Sequence, residues 1–283
     1  MNRFLRLFAL CPLLSAPLAA DTLTLGSTNA AAGAVLQLPF NFTNTHQIVG
    51  MQFDLEFPAG IVEAGSAVAA SETTNHTAES REVAAGTRRI ILYSSSNQLL
   101  PSDLMLEVPL TLKTGSPQGG PTVNVSNILL TNAQGQTFTP TINRPQIDAW
   151  RLANFTEAER NDPAIIGDDR DLDGDGLGNL LEFLMGGNPK AKDPGHQPQA
   201  AYGFDPADEH FYLTLLFRTG KNITAGTLTA QSSPDMRTWQ SNGIHLTPTG
   251  NEDAMSIEYE AAIRVDGANR GFLRLVGVRS PGQ

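Results

Sequence analysis

Every second residue is large and apolar in the stretch Val49-Gly50-Met51-Gln52-Phe53-Asp54-Leu55-Glu56-Phe57. Successive side chains of a β-strand point to opposite sides of its sheet, so this period of two predicts a strand with one buried face. The core should therefore contain the apolar side chains of the stretch, which are Val49, Met51, Phe53, Leu55 and Phe57.

Apolar runs of strand length lie on both sides of this stretch. They are Val35–Phe42, Arg89–Ser94, Leu104–Leu112 and Val123–Leu130, with turn-forming residues between them. Many short strands without helices favour a β-sandwich or a jelly roll.

The same region resembles cohesin domains. The resemblance rests on Ala32–Asn44 followed by Ile48–Phe57, and on Ile90–Ser94 followed by Leu106–Leu112. It implies a cohesin-like jelly-roll sandwich. Cohesins share that fold with a group of cellulose-binding modules, so the resemblance implies either protein docking or carbohydrate binding.

Composition divides the chain into segments, and we predict a mainly β protein. A signal peptide occupies residues 1–20, the cohesin-like sandwich 21–143 and a short acidic, helical segment 144–192. A linker rich in Pro, Gly, Lys and Gln follows at 193–207, and a small β module at 208–283. This last segment resembles small β modules that follow calcium loops in exported proteins of environmental bacteria.

The acidic segment contains a loop, Asp171 to Glu182, with the ligand order of an EF-hand. Glycine stands at position 6, where such a loop turns sharply. The predicted ligands, at positions 1, 3, 5, 7, 9 and 12, are Asp171, Asp173, Asp175, the backbone carbonyl of Leu177, Asn179 (directly or through water) and Glu182.

The donor types in this loop suit calcium. Calcium is a hard cation that takes six to eight oxygen ligands at about 2.3–2.6 Å. Three aspartates within five residues repel one another, and a bound cation removes that repulsion. Asp169 is a further candidate ligand, while the alternative interpretation is a solvated acidic linker.

An exit helix is predicted after the loop, because apolar residues recur there at helical spacing. These residues are Leu177, Leu180, Leu181 and Leu184, and Trp150 and Phe155 are expected to pack against them.

The loop and exit helix also resemble one repeat of a dockerin, the partner of cohesins. Dockerins usually carry two repeats, whereas this chain has one, and their loops usually end in Asp where this one has Glu182. Isolated Asp-rich calcium repeats of secreted bacterial proteins resemble it equally.

The N-terminus has the pattern of a secretory signal. Arg3 lies before and Arg6 near the start of the apolar run Phe4–Leu14, and Ala20 precedes the expected cleavage site before Asp21. We therefore expect a soluble protein in the periplasm, at the cell surface or outside the cell. Its only cysteine, Cys11, lies within the signal, so the processed chain has no disulfide.

Charge and motif content narrow the function. The net charge is −10 without a basic stripe, which argues against nucleic acid as a partner. The five histidines form no spaced metal pair, and neither a nucleophile elbow nor a phosphate-binding glycine loop occurs, so no catalytic or cofactor-binding residue is predicted. The leading hypothesis is an exported, non-catalytic, calcium-binding adhesion or assembly module with a protein partner. The alternatives are a carbohydrate-binding accessory protein in extracellular polysaccharide degradation and an unrecognised hydrolase.

Overall fold

The structure is a computed structural model that describes residues 20–28, 33–70, 75–102, 104–116, 119–267 and 271–280. The signal peptide predicted for residues 1–20 lies outside the described residues except for Ala20. The chain is mainly β, as predicted, with several sheets and few helices. None of the helices in the described ranges is long and apolar enough to cross a membrane.

The first part of the chain folds as two facing sheets. In the described residues one sheet has the order β11-β1-β2-β8-β4, with β5 also pairing with β8, and the other has the order β10-β9-β3-β7-β6. The strands are β1 (Thr22–Leu25), β2 (Val35–Thr43), β3 (Ile48–Glu56), β4 (Val62–Ala64), β5 (Val68–Ala70), β6 (Thr77–Ala84), β7 (Thr87–Tyr93), β8 (Leu104–Leu112), β9 (Asn124–Asn132), β10 (Thr137–Phe138) and β11 (Thr141–Asn143).

Strand β3 supplies the centre of this sandwich's core. Met51, Phe53, Leu55 and Phe57 are buried in one cluster with the apolar residues of the facing sheet, as the alternation predicts. Val49 is also buried but lies outside that cluster, whereas Ile48 lies inside it. A bulge in the pairing of β3 with β9, between Ile48 and Gly50, accounts for this difference because it interrupts the alternation.

Four short helices follow the sandwich: α1 (Gln146–Asn154), α2 (Glu157–Arg160), α3 (Pro163–Ile166) and α4 (Asn179–Met185). Helix α4 is the predicted exit helix. It ends at Gly186, which has a φ of 76° and so adopts the left-handed conformation that glycine tolerates best. The ring of Trp150 packs against those of Phe155 and Phe183 at centroid distances of 5.7 Å and 5.8 Å, and it adjoins Leu180 of α4.

The last part of the chain has two sheets, ordered β12-β13-β16-β15 and β14-β17 within the described residues. The predicted linker at 193–207 contains strand β12, which pairs along its whole length with β13. The strands are β12 (Gln199–Asp205), β13 (His210–Gly220), β14 (Gly226–Ser233), β15 (His245–Glu252), β16 (Ser256–Arg264) and β17 (Phe272–Arg279).

Helix α4 is part of the core of this C-terminal module. Leu177, Leu181 and Met185 pack with Leu215 and Phe217 of β13. On the β14–β17 pair, a Cβ at Gly226 would lie 2.9 Å from Leu184, and one at Gly277 would lie 2.8 Å from the same side chain. Two glycines thus let the helix lie directly on the paired strands, which makes the acidic loop and the C-terminal module one packing unit.

Candidate calcium site and its surroundings

The acidic loop brings its first three predicted carboxylates together. One oxygen from each of Asp171, Asp173 and Asp175 lies within 4.8 Å of the others. The turns that allow this occur at glycines, since Gly174 has a φ of 73° and Gly176 a φ of 96°. These are left-handed conformations that favour glycine, and Gly176 occupies position 6 of the loop.

Backbone amides fix part of each carboxylate. The side chain of Asp171 accepts hydrogen bonds from the amides of Gly174 and Gly176, both at 2.8 Å, and from that of Asp175 at 3.1 Å. One oxygen of Asp173 accepts from the Asp175 amide, and one of Asp175 accepts from the Leu177 amide. The loop is thereby folded with its aspartates turned toward a common point.

The remaining oxygens of three carboxylates have no partner. Asp173 Oδ2, Asp175 Oδ2 and Glu182 Oε2 are buried without a hydrogen bond from the residues that the structure describes. Glu182 is 1% exposed. Burial, together with the negative charges of Asp175, Asp173 and Asp193, raises the pKa of Glu182 to about 7. Buried acceptors without donors are costly, and a cation with oxygen preference fits this donor set.

The residues after α4 also shape the site, which the sequence analysis did not predict. A Cβ at Gly187 would lie 1.9 Å from Glu182 Oε2, so a glycine leaves the space that this carboxylate occupies. Lys192 donates to the carbonyl oxygen of Gly174 at 3.0 Å, and the charge of Asp193 acts on Glu182. Gly187, Lys192 and Asp193 are not among the ligands that the loop spacing predicts, the last of which is Glu182.

The other candidate ligands, Asn179, Leu177 and Asp169, differ from these acids in their hydrogen-bond partners. The side-chain amide of Asn179 donates to the carbonyls of Ile165 and Gly167 at 2.7 Å and 2.8 Å, while its Oδ1 is buried without a partner. The carbonyl of Leu177 accepts no backbone hydrogen bond from the described part of the chain. Asp169 lies outside the acidic cluster and pairs with Arg170 at the surface, at 3.5 Å.

A buried Arg–Asp–Arg cluster lies directly before the loop and joins all three parts of the chain. Asp168 accepts from Arg151 of α1 at 2.8 Å and from Nε of Arg279 of β17 at 2.8 Å. Arg151 is 0% exposed and also donates to the carbonyl of Gly120, between β8 and β9 of the sandwich, at 2.9 Å. The loop, the sandwich and the C-terminal module therefore meet at Asp168.

The Arg–Asp–Arg cluster carries a second buried acid. Asp148 of α1 is buried, and its Oδ1 has no hydrogen-bond partner among the described residues. Burial raises the pKa of Asp148 to about 6, although Arg151 and Arg279 act against that rise. Burial also lowers the pKa of Arg151 to about 10, which still leaves the guanidinium charged at neutral pH. The cluster thus contains two acids and two cations in a region without water access.

A second feature lies on the outer side of the sandwich, on the sheet that contains β3. Gly50 faces Tyr93 and Thr131 on the neighbouring strands, and Gln52 faces Ile91 and Leu129. Ile91, Tyr93 and Leu129 are 38%, 39% and 44% exposed. We call these three side chains, with Gly50 and Gln52 between them, the apolar face. Because a Cβ at Gly50 would have nothing closer than 3.7 Å, the centre of the apolar face is open to an approaching molecule.

Several solved structures similar to this chain are cohesin modules. One, from a family 33 glycoside hydrolase of Clostridium perfringens, is 16% identical, with a TM-score of 0.37 over 44% of this chain and 98% of that chain. A non-cellulosomal cohesin from Archaeoglobus fulgidus is 19% identical, with a TM-score of 0.37 over 44% of this chain and 88% of that one. A cohesin–dockerin complex from Clostridium thermocellum matches at 13% identity, with a TM-score of 0.35 over 44% and 88%. No family model and no curated protein matches the chain.

Proposed function

We propose that this chain is an exported, non-catalytic binding module in which a calcium ion orders the connection between two β modules. The observation that carries the proposal is the set of three buried carboxylate oxygens without partners, on Asp173, Asp175 and Glu182. A site built from these acids, with the Asp171 carboxylate beside them, matches the preference of calcium for charged oxygen ligands.

Residues of the loop and of helix α4 would together supply the ligands of the ion. Bound calcium supplies positive charge that offsets the repulsion among the acids. Asp171, Asp173 and Asp175 lie on the loop, while Glu182 projects from the rigid helix α4. The carbonyl of Leu177 and the free Oδ1 of Asn179 are the remaining donors at the expected positions of the loop.

A calcium ion that orders the loop would also restrain its contacts with both β modules. Helix α4 carries Glu182 and packs in the core of the C-terminal module. Asp168, three residues before the loop, binds Arg279 of that module and Arg151, which in turn binds Gly120 of the sandwich. The calcium segment is therefore a structural joint rather than a flexible linker.

The apolar face is the surface that we assign to a protein partner. Its three large apolar side chains are exposed together on one side of the sheet, an arrangement that marks interaction sites more often than scattered apolar residues do. Tyr93 is also held in place, because its hydroxyl donates to Glu79 at 3.0 Å. A tyrosine held in place beside exposed apolar side chains suits a protein partner, because protein interfaces are enriched in aromatic residues.

A charge placed in the apolar face should weaken partner binding by about a factor of 5 or more. Ile91→Asp puts a carboxylate where the partner would exclude water, and the few central residues that dominate an interface each cost more than about 1 kcal/mol when truncated. The measurement is quantitative mass spectrometry of exported proteins captured from culture supernatant on the immobilised full chain.

The matched control is Val278→Asp, since Val278 is also apolar and is 53% exposed, but lies on β17 of the C-terminal module. A partner retained by the wild type and by Val278→Asp, but lost with Ile91→Asp, supports the assignment. Equal capture by all three proteins would show that the apolar face is not the docking surface.

A further inference from the structure

The outer side of the four-stranded C-terminal sheet has a trough of about 430 Å³. Its floor is one row of side chains across the sheet: Ala201 faces Thr214, Thr214 faces Ala262, and Ala262 faces His245. The opposite side of the same sheet is the core side, where Leu215 and Ala261 are buried. The trough therefore lies on the side of the sheet that none of the core contacts uses.

Longer side chains form the two walls of this trough. Glu260 and Thr247 face each other in the row on one side, and Tyr212 lies in the row on the other side. The hydroxyl of Tyr212 donates to Asp208 at 2.6 Å, which fixes the ring against the trough. Ala201, Thr214 and Ala262 on the floor are small, so a flat molecule can approach the sheet closely.

Three polar side chains of the trough have no hydrogen-bond partner among the described residues. The side chains of Glu260, Thr247 and His245 make no hydrogen bond or ion pair within the ranges that the structure describes. Glu260 is half-buried, so its carboxylate is partly withdrawn from water without gaining a protein donor. Such a group is ready to accept a hydrogen bond from a ligand.

In the rows beyond the trough, by contrast, the acidic side chains have hydrogen-bond partners. Glu258, one row outward on β16, accepts from Thr249 at 2.8 Å and from Asn251 at 3.2 Å. At the other end, Asp266 accepts from the Phe211 amide at 2.7 Å and pairs with His210 at 2.8 Å. Unused hydrogen-bonding capacity on this side of the sheet is therefore concentrated in the trough.

We infer that this trough binds a neutral polysaccharide. Sugar hydroxyls can donate to the Glu260 carboxylate and accept from or donate to His245 and Thr247. The C–H side of a sugar ring can lie against the Tyr212 ring, whose π face is electron-rich. Pockets of this volume that combine an aromatic wall with a few convergent polar groups are typical small-ligand and oligomer sites.

The features of the trough disfavour other ligands. The free Glu260 carboxylate repels anions, and the residues lining the trough supply no Lys or Arg to offset it. A peptide strand would pair along the edge of a sheet, whereas the floor of the trough runs across all four strands, from β12 to β15. A cationic peptide is the remaining competitor, because a carboxylate beside a tyrosine ring also attracts ammonium groups.

The test is an array of neutral glucans, xylans, mannans and galactans, with hexalysine added as a cationic probe, applied to the full chain. Glu260→Ala removes the free acceptor, and Ala262→Tyr fills the floor; each should weaken binding of the retained glycan by at least about tenfold. Glu252→Ala is the matched control, because Glu252 is exposed on the same sheet but outside the trough. Melting temperatures of the variants establish that they remain folded.

Retention of a neutral glycan by the wild type and by Glu252→Ala, with loss in both trough variants, supports the inference. Binding of hexalysine without any glycan, no retention on any glycan of the array, or glycan binding that Ala262→Tyr leaves unchanged would each overturn it. Failure of this test leaves the calcium site untouched, since no trough residue belongs to the loop.

Discussion

Replacement of Asp168 by alanine should destabilise the chain by about 3–5 kcal/mol, because it leaves two buried arginines without their shared carboxylate. Arg151 has no exposed surface, and the side chain of Arg279 is 6% exposed. Neither guanidinium can turn to water while the fold persists. Urea unfolding of the full chain, followed by tryptophan fluorescence, measures the change, since Trp150 is adjacent to Arg151 on α1.

The neighbouring residue supplies the control for this prediction. Asp169 pairs with Arg170 at 3.5 Å, but both side chains are more than half exposed. Asp169→Ala should therefore cost no more than about 1 kcal/mol. Similar losses in the two variants would contradict the assignment of Asp168 as the residue that holds the three parts of the chain together.

Phe53→Ala should cost about 3–5 kcal/mol in the first sandwich, since it removes a fully buried aromatic ring from the centre of the core. The ring of Phe53 contacts that of Phe40 on the facing sheet at a centroid distance of 5.1 Å. The loss would therefore separate the two sheets locally. Hydrogen exchange of the β3 amides in the full chain reports the free energy of opening of this region.

The matched variant for this second prediction is Val35→Ala, because Val35 lies on β2 of the same sandwich but is 66% exposed. Its cost should stay within about 0.5 kcal/mol. A loss below about 1 kcal/mol for Phe53→Ala would mean that the register of β3 differs from the one described.

Buried strands were predictable from the sequence, and exposed edge strands were not. The alternation in β3 identifies its core side because Met51, Phe53 and Leu55, which are two residues apart, are buried in the core. Strands β6 and β12 lie at sheet edges, and the side chains of β12 are exposed throughout. Such strands are held by backbone hydrogen bonds on one side only, and β12 has no buried side that core residues would mark. The Pro, Gly, Lys and Gln content of residues 193–207 led instead to their interpretation as a linker.

In the candidate site, too, contacts between residues close in sequence were predictable, whereas contacts between residues far apart in the chain were not. The spacing of the loop acids is local, and it predicted the cluster of Asp171, Asp173 and Asp175. The Arg–Asp–Arg cluster joins residues far apart in the chain, and no spacing rule connects Asp168 with Arg279. The packing of Leu177, Leu181 and Met185 in the C-terminal core could not be predicted from the sequence either, because an apolar stripe on a helix does not specify what covers it.

Titration calorimetry of calcium into the full chain tests most directly whether the acidic loop binds calcium. We expect one site with a dissociation constant of about 10⁻⁴–10⁻³ M, the range of extracellular modules, and at least about tenfold weaker binding in Glu182→Gln, which loses a charged ligand but keeps its size. Asp169→Asn, outside the acidic cluster, should bind as the wild type does. No heat of binding in the wild type, or equal affinity in Glu182→Gln, would contradict the calcium site and the joint built on it.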